Sequence, residues 1–192
     1  RSFIELAKKK KAYMKTSPVL WCTECQTSIA QAELETKECE TVFNYLNFTT
    51  PIGNLLIATT RPELLAGCAC IFVHPDDTRY KKFIGQKAIV PLYDFEIPIL
   101  ADDTVAMDKG TGVVMCASFG DSADVEWYQK HKLTSKEVIL ADGTISEKID
   151  FIGKMTVKKA RAYIIELLKK QNLLVKQETI RHMVAVHERC QH

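Results

Sequence analysis

Long apolar runs are missing from this chain: no stretch of its 192 residues approaches the roughly 20 consecutive hydrophobic residues that span a bilayer, so no membrane helix is expected. The first residues, Arg1-Ser2-Phe3, lack the apolar stretch and small-residue cleavage site of a secretory leader, which makes the cytoplasm the expected compartment. A dominant charge is missing too. The formal net charge of +2 is too small to argue for nucleic acid on its own, because an electrostatic footprint depends on clustering. The basic runs Lys8 to Lys11, Arg79 to Lys82 and Lys158 to Lys170 read one by one as solvated faces. No internal repeat and no low-complexity segment appears. The seven cysteines are an odd number in a chain too long to need a disulfide scaffold, so reduced thiols with at most one metal site fit better.

What is present is enough apolar residue, 46% of the chain, for one core with at most a small appendage. Spacing predicts a helix from Ser2 to Lys15, ending before Pro18, then strands at Thr41 to Phe48, Leu55 to Thr60, Cys68 to Val73, Ala88 to Leu92 and Glu96 to Leu100. An apolar strand from Val113 to Phe119 leads into a helix opened by Asp121 or Ser122 and carrying Val125, Trp127, Tyr128 and Leu133. A strand at Val138 to Leu140, a helix from Thr156 to Gln171 with Thr156 as its cap, and a strand from Leu173 to Val186 complete the pattern. Strands and helices do not alternate regularly. The expected class is therefore α+β, a mixed, strand-rich, curved or barrel-like sheet with two to three helices.

Three segments carry candidate chemistry: Thr59-Thr60-Arg61-Pro62-Glu63 at a strand end, the loop Gly110-Thr111-Gly112, and the helix start Asp121 to Asp124. Together they supply hydroxyls, a guanidinium, free backbone N–H groups and two carboxylates. Each alone has an ordinary structural reading, as a strand ending at proline, a plain turn, and the acidic first turn of a helix. Separately, Cys22-x-x-Cys25 and His187-x-x-Cys190 have the ligand spacing of a structural zinc site. The competing reading is a lone CxxC and an unrelated Cys190.

The combination TTRPELLAG followed by GTGVVMCASFGDSADVEW resembles the editing insertion of the valyl, isoleucyl and leucyl class I aminoacyl-tRNA synthetases. WCTEC upstream and VHERC at the end resemble the hinges joining that insertion to its host, and His74-Pro75 lies in a segment this family also shows. Glutamate at position 63, directly after TTRP, resembles the valyl branch; tryptophan is expected there for isoleucyl and aspartate for leucyl enzymes. Met115 and Gly120 depart from the commoner bacterial valyl pattern, which has a lysine and a histidine at these places, and are more similar to an archaeal-type branch. The division implied is a linker helix with the cysteine knuckle in residues 1–37, the editing domain in 38–180, and a return strand to the synthetase body in 181–192.

The resemblance implies hydrolysis of mischarged tRNA, with threonine removed from tRNA(Val). It makes Asp124 the holder of the substrate ammonium through a charge-assisted hydrogen bond. Asp121 accepts the substrate's side-chain hydroxyl or orients water, and Thr59 and Thr60 stand near the ester. Arg61, Glu63, Gly110, Thr111, Gly112 and Met115 complete the substrate-binding set. A site built to bond a hydroxyl rejects an analogue lacking it far better than an apolar pocket can, and valyl enzymes are a known instance of a second, hydrolytic sieve. No Ser-His-Asp or Cys-His pairing is visible, so water is expected to attack directly, without metal or cofactor. Zinc at Cys22, Cys25, His187 and Cys190 would be structural, since protein fills all four positions. The expected partners are the 3′ end of tRNA(Val) and the rest of a synthetase in cis, whose ATP- and magnesium-dependent charging site has no signature here. Two other readings stand beside this one: an isoleucyl relative that rejects valine in an apolar pocket, and a non-catalytic zinc-knuckle RNA-binding module.

Overall fold

A computed structural model describes residues 1–191. In chain order its elements are α1 (Ser2–Lys8), β1 (Trp21–Cys22), β2 (Thr27–Ser28), β3 (Leu34–Thr50), β4 (Gly53–Thr59), β5 (Cys68–Val73), β6 (Lys87–Ile89), β7 (Glu96–Ala101), β8 (Val113–Ala117), α2 (Ser122–Lys130), α3 (Val157–Lys170) and β9 (Leu174–His187). Strands β4-β3-β6-β7-β5-β8 follow one another across a single sheet, and β9 also pairs with β3. The first and last strands of that order, β4 and β8, come close to each other, so the sheet curls towards a barrel. This is the mixed, strand-rich and strongly curved α+β architecture expected from the sequence.

The centre of the sheet is covered on both faces. Strand β5 lies between parallel β7 and antiparallel β8 and is buried on both faces. Ile71 and Val73 enter the main core with Leu46, Phe48, Leu55, Ile57 and Ile99, whereas Cys70 and Phe72 enter a smaller cluster with Cys116, Trp127 and Tyr128 under α2. A strand covered on both sides needs no polar face, which is why Cys68 to Val73 reads as a continuous apolar run. Helix α3 buries Ala160, Ile164 and Leu168 at helical spacing and packs on the 3-10 turn Pro62–Gly67.

The antiparallel β3–β9 ladder runs from Leu34↔His187 to Leu46↔Leu174. Its outer half has no core to cover it: β3 is exposed or half-buried up to Phe43 and largely buried from Asn44 onward. The boundaries 37/38 and 180/181 both fall inside strands of this ribbon, because pairing continues across them.

Several elements are shorter than their sequence patterns. Helix α1 stops at Lys8, not Lys15: it buries no residue, the lysines that follow repel one another, and Lys10 takes a φ of 55°. Strand β8 stops at Ala117 because Ser118 turns to φ 57°, and β6 stops at Ile89 ahead of a turn in which Leu92 and Asp94 both take positive φ. Val138 to Leu140 forms only a bridge, Ile139↔Ile145. Thr156 occupies the N-cap position of α3, but its side chain makes no capping bond. Among the described residues, no helix is long and apolar enough to cross a membrane.

One buried charge ties the site's flank to the rest. Glu63, fully buried in the Pro62–Gly67 turn, accepts from Arg161 of α3 at 2.7 and 2.9 Å, and Arg61 Nε lies 3.5 Å from it. Removing Arg161 takes away both of its hydrogen bonds to Glu63 and leaves that buried charge with only the longer Arg61 contact. Arg161→Ala is therefore expected to lower the free energy of unfolding by about 3 kcal/mol in a urea titration. A double Glu63→Met, Arg161→Met variant should recover most of that loss, because no buried charge is left without a partner.

Candidate active site

The sequence segments flagged for chemistry meet around one cavity of about 330 Å³. Strand β4 delivers the first of them. Thr59 is almost wholly buried; its Oγ1 accepts from Arg61 N at 3.1 Å and its carbonyl accepts from Asn44 Nδ2 at 3.3 Å, so the chain bends sharply before Pro62. That bend aims Arg61 across the cavity, where Nη1 donates to the Gly120 carbonyl at 2.9 Å.

Gly120 carries the second connection. Its N–H donates to Asp124 Oδ2 at 3.0 Å, while Asp121, as N-cap of α2, accepts from Asp124 N at 2.9 Å. A side chain at position 120 would not fit this arrangement, since a Cβ there would lie 2.7 Å from Asp124 Oδ2. The chain is anchored two residues earlier as well: Ser118 N donates to Tyr128 Oη at 2.9 Å. The second oxygen of Asp121 has no protein partner among the described residues.

Asp124 is a carboxylate in an unfavourable place. Burial and the neighbouring charge of Asp121 push its pKa up to about 6, against hydrogen bonds from Cys116, Gly120 and Asp121 that favour the charged form. A buried carboxylate of this kind gains most from a cation delivered to it. The thiols nearby do not compete as nucleophiles. The Cys70–Cys116 contact, burial and the Asp124 charge raise the Cys116 thiol far above its usual range, and burial raises Cys68 likewise. No cysteine, serine or histidine lines the cavity among the described residues.

Thr59, Thr60, Arg61, Gly110, Met115, Asp121 and Asp124 all line the cavity. Glu63, Thr111 and Gly112 do not. Glu63 points into the protein towards Arg161, so a substrate contact through it is not what the structure shows. Thr111 Oγ1 accepts from Val113 N, and Gly112, at φ 82°, sits against Arg79 Nη2 and the Met107 carbonyl, where a Cβ would come within 2.7 Å of both. Sequence reasoning missed Phe43, Thr104, Lys109 and Trp127 as cavity residues. Trp127 could have been found, because it follows Asp124 by three positions on α2 and shares its face.

A second constellation lies at the outer end of the ribbon, where Leu34 pairs with His187. The β1–β2 turn presents Cys22 and Cys25, and the end of β9 with the turn after it presents His187 and Cys190. All four donor atoms lie within 4.8 Å of one another, with Cys22 Sγ 3.4 Å from Cys190 Sγ and Cys190 Sγ 3.5 Å from His187 Nδ1. Ligands held about 2.3 Å from a tetrahedral zinc stand roughly 3.8 Å apart, so this donor set fits. The Cys25 N–H, which donates to Cys22 Sγ at 3.3 Å, is the chief influence that lowers the Cys22 thiol to about 6.

Against known proteins, a family model for the leucyl-tRNA synthetase editing domain matches residues 74–180, more than half of the chain, including Asp121 and Asp124. A valine--tRNA ligase of Rickettsia typhi is 48% identical over 191 residues, covering 98% of this chain and 23% of that protein. A valine--tRNA ligase of Methanocaldococcus jannaschii is 46% identical over 191 residues, covering 98% of this chain and 22% of that protein. The chain thus spans about a quarter of the length of the curated relatives it matches. The crystal structure of GlLeuRS-CP1 shares the fold with a TM-score of 0.57 at 13% identity, covering 71% of this chain and 99% of that one. On the family match and the shared architecture, the chain belongs to the leucyl-tRNA synthetase editing-domain family, with valine--tRNA ligases among its close relatives.

Proposed function

We propose that this chain hydrolyses the ester of mischarged tRNA, releasing threonine from tRNA(Val), as the editing unit of a valine-charging synthetase. The single observation that carries the reading is Asp124, a buried carboxylate held by the Gly120 N–H and opening on a cavity that also presents Thr59, Thr60 and Asp121. An aminoacyl ester has an ammonium beside the carbonyl under attack, and Asp124 would hold it by a charge-assisted hydrogen bond. The free oxygen of Asp121 serves either the substrate's side-chain hydroxyl or the attacking water. Water adds to the ester carbonyl, the bond to the ribose oxygen breaks, and the products are the free amino acid and tRNA with its hydroxyl restored. No covalent intermediate and no cofactor takes part. Arg61, held on Gly120 and beside Glu63, acts by fixing the cavity wall.

The 3′ end of tRNA(Val) is the partner in this reading. The remainder of the synthetase, working in the cytoplasm with ATP and magnesium at a separate charging site, is joined in cis. The names of the relatives favour this over an isoleucyl enzyme, and a cavity built around a buried carboxylate favours it over a non-catalytic RNA-binding knuckle. The four-ligand cluster is read as a structural zinc site that closes the two ends of the chain together, with no position left for a reacting water.

Four outcomes test the reading. The chain incubated with threonyl-tRNA(Val) and valyl-tRNA(Val) should release threonine selectively, and Asp124→Ala should abolish the release; equal hydrolysis of both esters would refute the valyl assignment. The rate should rise with pH through about 6 as Asp124 ionises, then level off. Stability should run the other way. A carboxyl whose pKa is raised on folding favours the fold when protonated, and that contribution is lost as pH rises from about 4 through about 6. Asp124→Asn should therefore raise the melting temperature at pH 8, with the gain fading towards pH 4, while deacylation is lost. For the cluster, elemental analysis should find one zinc per chain, absent from Cys22→Ser and Cys190→Ser variants; stripping the metal with a chelator should lower the melting temperature without removing deacylation from the folded fraction.

A further inference from the structure

A second polar network meets the same cavity near the C-terminal end of α2. Asp102 is buried at the end of β7, and both its oxygens are engaged: Oδ1 accepts from Thr104 N at 3.0 Å and Thr104 Oγ1 at 2.5 Å, and Oδ2 accepts from His131 Nε2 at 2.6 Å and Lys130 Nζ at 2.9 Å. Burial alone would raise the Asp102 carboxyl, but these bonds outweigh it and hold it well below the usual carboxylate range, so it is an acceptor only. The Thr104 proton is therefore committed to Asp102. Trp127 Nε1, which can only donate, gives its hydrogen to Thr104 Oγ1 at 2.9 Å.

A hydroxyl oxygen has one proton and two lone pairs. In Thr104 the proton and one lone pair are fixed by buried partners, which leaves one lone pair in a set direction. Thr104 is exposed and lines the cavity that Asp124 lines, and Trp127 stands one turn along the same face of α2 from Asp124. A freely rotating surface threonine could present donor or acceptor to a ligand; this one can present an acceptor alone.

We propose that Thr104 Oγ1 is a fixed hydrogen-bond acceptor for a substrate hydroxyl, a binding contact of the site in addition to Asp121 and Asp124. The inference rests on the hydrolytic reading above. Two hydroxyls of the substrate have the right chemistry: that of the threonyl side chain, and the free one of the terminal ribose. The Asp102 and Trp127 contacts make Thr104 rigid, so the bond needs no ordering of the acceptor when substrate arrives.

Steady-state deacylation by wild type, Thr104→Val and Thr104→Ser separates the outcomes. Thr104→Val keeps the shape and removes the oxygen, and should lower kcat/KM on threonyl-tRNA(Val) by about tenfold, whereas Thr104→Ser should stay within about twofold of wild type. The same measurement on 2-aminobutyryl-tRNA(Val), which lacks the side-chain hydroxyl, identifies the donor. A loss confined to the threonyl ester assigns the threonine hydroxyl, and an equal loss on both assigns the ribose. Wild-type rates in Thr104→Val, or a Thr104→Ser variant as poor as Thr104→Val, would overturn the proposal while leaving the hydrolytic reading intact. A wild-type chain that hydrolyses neither ester would overturn that reading, and this inference with it.

Discussion

The site depends on the backbone of Gly120. Its N–H holds the Asp124 carboxylate and its carbonyl receives the Arg61 guanidinium, so one residue joins the bend after β4 to the start of α2. Those two elements come from opposite ends of the strand order, and the sheet must curl for them to meet. The contact also explains why glycine stands at position 120, since any Cβ there would displace the carboxylate. A network so placed is demanding, because a buried carboxylate left without its N–H donors would protonate or force the site open.

The surrounding protein supplies rigidity on both flanks. On one side the Glu63–Arg161 pair fastens the Pro62–Gly67 turn to α3, which fixes where Arg61 starts. On the other, Asp102 gathers Thr104, Lys130 and His131, and Trp127 bonds Thr104, which fixes the far wall and the base of α2. Two charged clusters, each joining residues far apart in the sequence, thus brace the two walls of one cavity. The Cys22, Cys25, His187 and Cys190 cluster joins the β1–β2 turn to the outer end of the β3–β9 ribbon, and none of the four residues lines that cavity.

Much of this was legible in the sequence because the patterns were local. Apolar runs found β5 to the residue, helical spacing found α2 and α3, and the place before an apolar-periodic segment narrowed the N-cap of α2 to Asp121 or Ser122, of which the structure has Asp121. The meeting of Thr59, Thr60, Arg61, Gly110, Asp121 and Asp124 was legible from the order of motifs. What was not legible depended on tertiary burial. Glu63 follows a site motif in sequence yet faces the core, because a 3-10 turn points it at an arginine far along the chain. Thr104 has no sequence signal beyond Asp102 two positions earlier, and its role emerges only when Trp127 comes beside it. The full length of β3 was hidden because its outer half is an exposed ribbon without hydrophobic alternation.

The central claim is that Asp124 is a strained carboxylate waiting for an ammonium. Carbon-detected NMR titration of its carboxyl, with and without a non-hydrolysable threonyl-adenosine analogue, tests it most directly. The account predicts a midpoint near 6 in the free protein and a clear fall when the analogue's ammonium is bound. A midpoint in the ordinary aspartate range, or one that the analogue leaves unmoved, would contradict it.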